Sequence, residues 1–301
     1  MNHVSISFSV SDNYVQHMAV LVASLLYYSP RSTFIFHVLT KSISEENISK
    51  LRLMEEWHKP RCQFKIHLVD SKRFNAYPLP LEHITQEMYY RFLLPNLLAD
   101  EARTIYMDVD ILAKKDITPL WEYDLQGAWL GGVADPKSDP KFPDYQKRIG
   151  LVPGSIYFNS GVLLMDLEQL RQINFEAKCM NQVAELNTRL VWPDQDVINL
   201  ITAGNILQLP TYFNYMPLCK VEHKRDIVLQ HYASFTTKPW CYIWNNTSRF
   251  PYFRFLLKTP FKNNAPKFIW NHIKGFFWYT YTKNNTTRGL LLGIRVYRKK
   301  H

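Results

Sequence analysis

Short apolar runs alternate with longer amphipathic stretches along most of the chain. Residues 4–10, 34–40, 103–107, 128–134, 157–165 and 227–230 are brief and apolar or β-branched, and 62–69 alternates apolar with polar positions; each predicts a strand. Residues 14–28, 44–57, 85–98, 168–189 and 194–203 carry a helical period, with Asp12 and Asn13 placed to cap the first helix and Pro95 to bend the third. Strands alternating with helices imply right-handed crossovers and a mainly parallel sheet covered on both faces. Ligands of such sheets sit at strand ends. Ser11, Asp12, Asp108, Asp110, Asn159 and His231 all fall at predicted strand ends, which points to a nucleotide-type site.

Composition adds an asymmetry. The 301 residues are 47% hydrophobic and 21% charged, as expected of a globular protein, with a net charge of +10. No Asp or Glu follows Asp226, yet 13 Lys and Arg do, beginning at Lys238; the first 226 residues hold 23 basic against 26 acidic residues. A slightly acidic body thus precedes a strongly basic end. Twelve aromatic residues between Phe250 and Tyr281 interleave with Lys258, Lys262, Lys267 and Lys274. That mixture suits an anionic lipid surface; a packing extension on the core and a nucleic-acid strand are the alternative readings. The expected division is a catalytic domain over 1–245 and a basic aromatic, membrane-associating region over 246–301. No secretory signal or spanning helix is read from the sequence, and Cys62, Cys179, Cys219 and Cys241 show no metal or disulfide framework. Both features suggest a cytoplasmic protein, and the sequons at Asn245 and Asn284 then read as chance matches.

The segment TIYMDVDIL at 104–112 places two carboxylates two positions apart after an apolar strand. Close, partly desolvated acids repel each other, and a divalent cation relieves that cost. Hard oxygen donors suit Mg2+ or Mn2+; an added imidazole, as from His231, shifts preference toward Mn2+. A solvated turn would accommodate the same pair. His231 stands in HYASFTTKPW, where Lys238 could meet a phosphate as a point charge.

Taken together, SVSDNY at 9–14, YYRFLLPNLL at 89–98, YMDVDILAKKDITPLW at 106–121, FNSGVLLMDL at 158–167, PDQDVIN at 193–199 and HYASFTTKPW at 231–240 resemble glycosyltransferase family 8. The similarity is to its bacterial lipopolysaccharide galactosyl- and glucosyltransferases and covers roughly residues 3–245. The resemblance implies the GT-A nucleotide-diphospho-sugar transferase fold, an α/β architecture with a mainly parallel mixed sheet. It implies a retaining hexosyltransferase that takes galactose or glucose from UDP-galactose or UDP-glucose to a lipopolysaccharide core or other glycan or glycolipid acceptor, at the inner face of the cell membrane. It implies Asp108, Asp110 and His231 as metal ligands and Val109 against ribose or base. Ser11, Asp12, Asn13 and Tyr14 would hold uracil and ribose. Arg91, Asn159 and Ser160 would face the donor sugar, and Ser234 and Lys238 the diphosphate. Asp194 and Gln195 would sit beside the anomeric carbon as the catalytic pair, while Asp196 is expected in a buried salt bridge or cap. Two departures stand out: Ser11 replaces a frequent aspartate, and Ser234 replaces a usual glycine in a loop one residue longer. Alternative readings are a self-glucosylating primer like glycogenin, which would modify its own tyrosine, and a non-enzymatic basic membrane-binding protein.

Overall fold

The computed structural model describes residues 3–80, 85–136, 146–147, 149–152, 154–216, 219, 221–234, 237–240, 249–283, 286–291 and 294–300. Its strands are β1 (Val4–Ser9), β2 (Phe34–Thr40), β3 (Cys62–Leu68), β4 (Arg103–Met107), β5 (Ile111–Ala113), β6 (Leu130–Ala134), β7 (Phe158–Asp166), β8 (Ile206–Gln208) and β9 (Leu229–His231), with β10 (Trp278–Lys283), β11 (Thr286–Leu291) and β12 (Ile294–Lys300) at the end. The helices are α1 (Val15–Tyr28), α2 (Glu45–Trp57), α3 (Leu94–Leu97), α4 (Thr118–Trp121), α5 (Leu167–Gln172), α6 (Phe175–Leu186), α7 (Pro193–Ile201), α8 (Arg249–Leu256) and α9 (Ala265–Phe277).

A seven-stranded sheet of order β3-β2-β1-β4-β7-β6-β8 forms the centre. The β3–β2–β1–β4 half is parallel, as alternating strands and helices require. β7 then runs antiparallel to both β4 and β6. That reversal brings the start of β7, Asn159 to Gly161, to the same edge as the end of β4. β7 is buried along nearly its whole length, which is why it reads as one continuous apolar run. α1 is buried almost all round because it lies between the sheet and α8, so its sequence is apolar on every face.

Several expected elements take a different form. Residues 85–98 are not one helix: Gln86–Leu93 is a 3-10 stretch, and Pro95 lies in the first turn of α3, where its missing N–H costs nothing. The expected helix over 168–189 is broken by Asn174, which takes a left-handed conformation (φ 54°, ψ 46°) that asparagine tolerates. Asp12 does not cap α1. Its carboxylate accepts bonds from Ser44 N (2.8 Å) and Asn47 Nδ2 (2.7 Å), tying the loop after β1 to the start of α2.

The basic end is ordered into α8, α9 and an antiparallel sheet, β10-β11-β12. Tyr252, Phe255, Leu256, Phe261, Ala265 and Phe268 join the core cluster that contains α1. Cys62, Cys179 and Cys219 are free thiols; Cys241 and the sequon positions Asn245 and Asn284 lie outside the described residues.

Candidate active site

Backbone register brings the two acids and the distant histidine together. β4 ends beside β7, and Asp108 N donates to Gly161 O (2.8 Å). The chain then leaves the main sheet as β5 and pairs antiparallel with β9, setting Ile111 opposite His231. Tyr232 N donates to Asp110 O (2.9 Å), locking the turn between the acids against the strand that carries the imidazole. One ligand atom from each of Asp108, Asp110 and His231 lies within 4.8 Å of the others. Lys238 donates to Asp110 Oδ2. Burial alone would raise the Asp110 carboxyl; Lys238 and His231 outweigh it and hold the group well below the usual carboxylate range. Asp110 is therefore an anion at neutral pH.

The orientation of His231 follows from a chain of amides. Gly161 N–H can only donate, and it donates to Asn159 Oδ1 (3.0 Å). The same oxygen accepts Asn214 Nδ2 (2.9 Å), so Asn214 turns Oδ1 toward His231 Nδ1 (2.9 Å). The His231 proton therefore sits on Nδ1. Its Nε2 faces Asp110 Oδ1 at 3.3 Å and Asp108 Oδ2 at 4.0 Å, where a proton or a cation must separate nitrogen from carboxylate. Two carboxylates and a correctly turned imidazole fit a divalent ion such as Mn2+.

The opposite end of this network reaches Gln195. Its Oε1 accepts Ser160 N (3.0 Å) and Asn159 Nδ2 (3.0 Å), and its Nε2 donates to Asp135 Oδ2 (3.3 Å). Both ends of the amide are thereby fixed. Asn199 Nδ2 accompanies it, donating to Gln195 O (2.8 Å) and Phe158 O (2.8 Å).

Arg91 joins the two halves. It is 4% exposed, pairs with Asp108 (3.0 Å) and Asp194 (3.0 Å), and donates to Ser160 O (2.7 Å). Its guanidinium carbon also lies 4.2 Å from the centre of the Tyr106 ring, whose hydroxyl donates to Asp108 Oδ1 (3.0 Å). Burial pushes the Asp194 carboxyl up, an effect that Arg91 offsets only in part. Ser160 Oγ donates to Asp194 Oδ2 (3.0 Å).

Of the residues expected from the sequence, Arg91, Asp108, Asp110, Asn159, Ser160, Asp194, Gln195, His231 and Lys238 converge on this one network. Tyr14 approaches it through Trp240, edge to face at 5.8 Å. Ser11, Asp12 and Asn13 share the loop of Tyr14, with Asp12 turned to α2, and Val109 packs against the core. Ser234 bends the Lys238 loop through its carbonyl, which accepts Thr237 N (2.9 Å) and Lys238 N (3.2 Å). Asp196 is used as expected of a cap, accepting Tyr157 Oη, Val191 N (3.2 Å) and Trp192 N (3.0 Å).

Sequence reasoning missed Asp135, Asn214 and Gly161. Asp135 and Asn214 lie outside the motif segments, and their importance comes from tertiary hydrogen bonds. Gly161 carried a readable signal, a glycine inside a buried strand. A Cβ there would lie 2.4 Å from His231 Cε1 and 2.9 Å from Asp108 Oδ2, so the imidazole crosses directly over its bare backbone.

Comparison with known proteins agrees with this geometry. Residues 5–244 match the model for glycosyl transferase family 8. The chain is 30% identical over 208 residues to general stress protein A of Bacillus subtilis, covering 67% of this chain and 70% of that protein. It is 24% identical over 280 residues to the lipopolysaccharide glucosyltransferase WaaO of Escherichia coli, covering 87% of this chain and 80% of WaaO. The crystal structure of the galactosyltransferase LgtC, in complex with donor and acceptor sugar analogs, superposes with a TM-score of 0.74 at 27% identity, covering 85% of this chain and 96% of that one.

Proposed function

This chain belongs to glycosyl transferase family 8, and on that premise we propose that it moves galactose or glucose from UDP-galactose or UDP-glucose to a lipopolysaccharide core or related glycolipid acceptor, with retention at the anomeric carbon and with Mn2+ (or Mg2+). The observation that carries the reading is the Asp108–Asp110–His231 cluster set beside the Arg91–Asp194–Gln195 network. The LgtC complex supports it, since that enzyme holds donor and acceptor sugar analogs on the same fold.

Asp108, Asp110 and His231 would hold the ion, which supplies Lewis-acid help to the departing diphosphate. Lys238 would swing from Asp110 to that diphosphate, and Tyr14 and Val109 would flank the nucleoside. Arg91, Asn159, Ser160 and Asp194 would meet the sugar hydroxyls. Retention needs either a nucleophile beneath the anomeric carbon or attack from the face the diphosphate leaves. Gln195 is an amide, and its oxygen already accepts two donors, so it is a poor nucleophile. The front-face route follows: the sugar C1–O bond to phosphate breaks, the acceptor oxygen bonds to C1, and a phosphate oxygen takes the acceptor's proton.

Association with an anionic membrane on its cytoplasmic side is part of the same reading. No helix among the described residues is long and apolar enough to cross a membrane. α9 buries Ala265, Phe268 and His272 on one face and exposes Ile269, Trp270, Ile273 and Phe277 on another, with Lys267 and Lys274 alongside. Such a helix suits an interface in which aromatic rings enter the headgroup layer beside lysines.

The test is a panel of sugar nucleotides incubated with Mn2+ and without acceptor, scored for slow hydrolysis. One UDP-hexose should be consumed, and Asp108→Ala or Asp110→Ala should abolish both this and metal-dependent UDP binding. Full activity of either variant in the presence of a chelator would remove the metal-dependent scheme.

A further inference from the structure

Asn214 lies in none of the motif segments, yet it is fully buried and stands between the two halves of the site. It makes two directional contacts: Nδ2 to Asn159 Oδ1 (2.9 Å) and Oδ1 to His231 Nδ1 (2.9 Å). Asn159 continues the chain through Nδ2 to Gln195 Oε1 (3.0 Å) and Asp135 Oδ2 (3.2 Å). Every group in this series has only one permitted orientation, because Gly161 N–H and Ser160 N–H at one end can only donate and Asp135 at the other can only accept. Rotating one amide breaks its neighbours in turn.

We propose that Asn214 is a positioning residue that couples the metal-binding imidazole to the sugar-facing amide of Gln195, fixing the tautomer of the first and the rotamer of the second. The proposal rests on the assignment of Asp108, Asp110 and His231 as ligands of a divalent ion. An outer partner that accepts from a ligating histidine both turns the ring and strengthens its free nitrogen as a donor. Here that partner is itself locked by the amide that holds Gln195. The two sites, which bind chemically different parts of a nucleotide sugar, thus share one set of hydrogen-bond directions.

Two substitutions separate the two functions. Asn214→Asp keeps an oxygen for His231 Nδ1 but presents a second oxygen to Asn159 Oδ1. Asn159 must then turn, withdrawing Nδ2 from Gln195 and Asp135. Asn214→Leu loses both contacts at similar size. Titration calorimetry with Mn2+ and UDP should show Asn214→Leu weakened about 10- to 100-fold, the range for lost outer partners of metal ligands. Asn214→Asp should bind Mn2+ and UDP within about threefold of wild type, by the same principle, while losing most acceptor-independent UDP-hexose hydrolysis. Nitrogen NMR of His231 in the Mg2+-loaded wild type should show the proton on Nδ1.

Equal Mn2+ and UDP affinity in a folded Asn214→Leu protein, parallel loss of binding and hydrolysis in Asn214→Asp, or an Nε2 proton in the loaded wild type would each overturn the coupling. If Asn214→Leu does not fold, Asn214→Asp and the NMR spectrum decide alone. Absence of Mn2+ binding by the wild type would instead sink the metal assignment, and this inference with it.

Discussion

The imidazole of His17 stacks on the indole of Trp240, ring centroids 3.7 Å apart and planes 23° from parallel. Behind it, the Tyr252 hydroxyl bonds to His17 Nδ1 (2.7 Å) and accepts Gln16 Nε2 (2.9 Å). Burial pushes His17 down to about 3, so the ring is neutral and accepts the Tyr252 proton. Trp240 in turn lies 5.6 Å from the Lys238 ammonium and edge-on to Tyr14. Helix α8, at the start of the basic end, thereby braces the loop of Tyr14 and the loop of Lys238, the two proposed to meet the nucleotide sugar.

Tyr252→Phe removes one buried hydroxyl with two partners and leaves the ring in place. One such hydrogen bond contributes about 1 kcal/mol, or roughly fivefold in an equilibrium. The expected outcome is a rise of about that size in donor KM with acceptor KM unchanged. Phe255→Leu, which loosens α8 against Tyr27 and Tyr28 without touching His17, should lower Tm and spare donor KM. Equal donor KM values for Tyr252→Phe and wild type would remove α8 from donor binding.

Gly161→Ala tests the close approach of His231. Its backbone is not strained; the conflict is purely spatial, 2.4 Å from the added carbon to His231 Cε1. The buried ring cannot retreat without leaving Asp110 or Asn214. The variant should fold, show Mn2+-dependent UDP binding weakened by about tenfold or more, and lose most transfer. Wild-type affinity would mean that β9 yields readily.

The parallel half of the sheet was legible because β1, β2 and β4 are short apolar runs, β3 alternates apolar with polar residues, and helical periods follow β1 and β2. Phe34–Thr40 and Arg103–Met107 match their expected bounds. β5, β8 and the reversal at β7 were not read. β5 and β8 are three residues long, and strand direction leaves no mark on periodicity. Among the site residues, Asp108, Asp110 and His231 were visible from chemistry and motif order. Asn214 and Asp135 were not, since an asparagine or aspartate outside a motif looks the same whether solvated or buried in a network. The break at Asn174 was hidden for another reason: periodicity on either side is helical, and only backbone φ distinguishes one helix from two.

Arg91 is buried and holds two carboxylates, the buried Asp194 and the part-exposed Asp108. Removing it leaves both without their cation, and loss of one partner of a buried ion pair costs about 3–5 kcal/mol. Arg91→Ala should therefore lower unfolding free energy by about that amount in denaturant titrations, well beyond the effect of an ordinary surface change. Divalent ion should restore part of the loss, because a cation at Asp108 replaces some of the missing charge. Arg91→Lys should be intermediate: it keeps the charge but cannot reach Asp108, Asp194 and Ser160 O together. A stability change below about 1 kcal/mol for Arg91→Ala would show that solvent enters and compensates the acids.

Far from the site, His37 lies within the sheet at 2% side-chain exposure, its Nδ1 3.0 Å from His67 Nε2 and its Nε2 3.5 Å from Glu101 Oε1. Burial, with His67, Lys65 and His3 adding repulsion, pushes it down to about 3 from 6.5. Glu101 favours the charged ring but does not overcome burial. The unfolded chain then binds a proton that the fold refuses between those two values, so stability is complete above about 6.5 and declines as pH falls toward about 3. One such group changes unfolding free energy by at most about 1.4 kcal/mol per pH unit. His37→Gln cannot take up that proton. Between pH 6.5 and 5 it should therefore lose roughly 1–2 kcal/mol less than wild type in denaturant unfolding. Parallel stability profiles for the two proteins would show that His37 is protonated equally in both states, and that Glu101 rather than burial governs the ring.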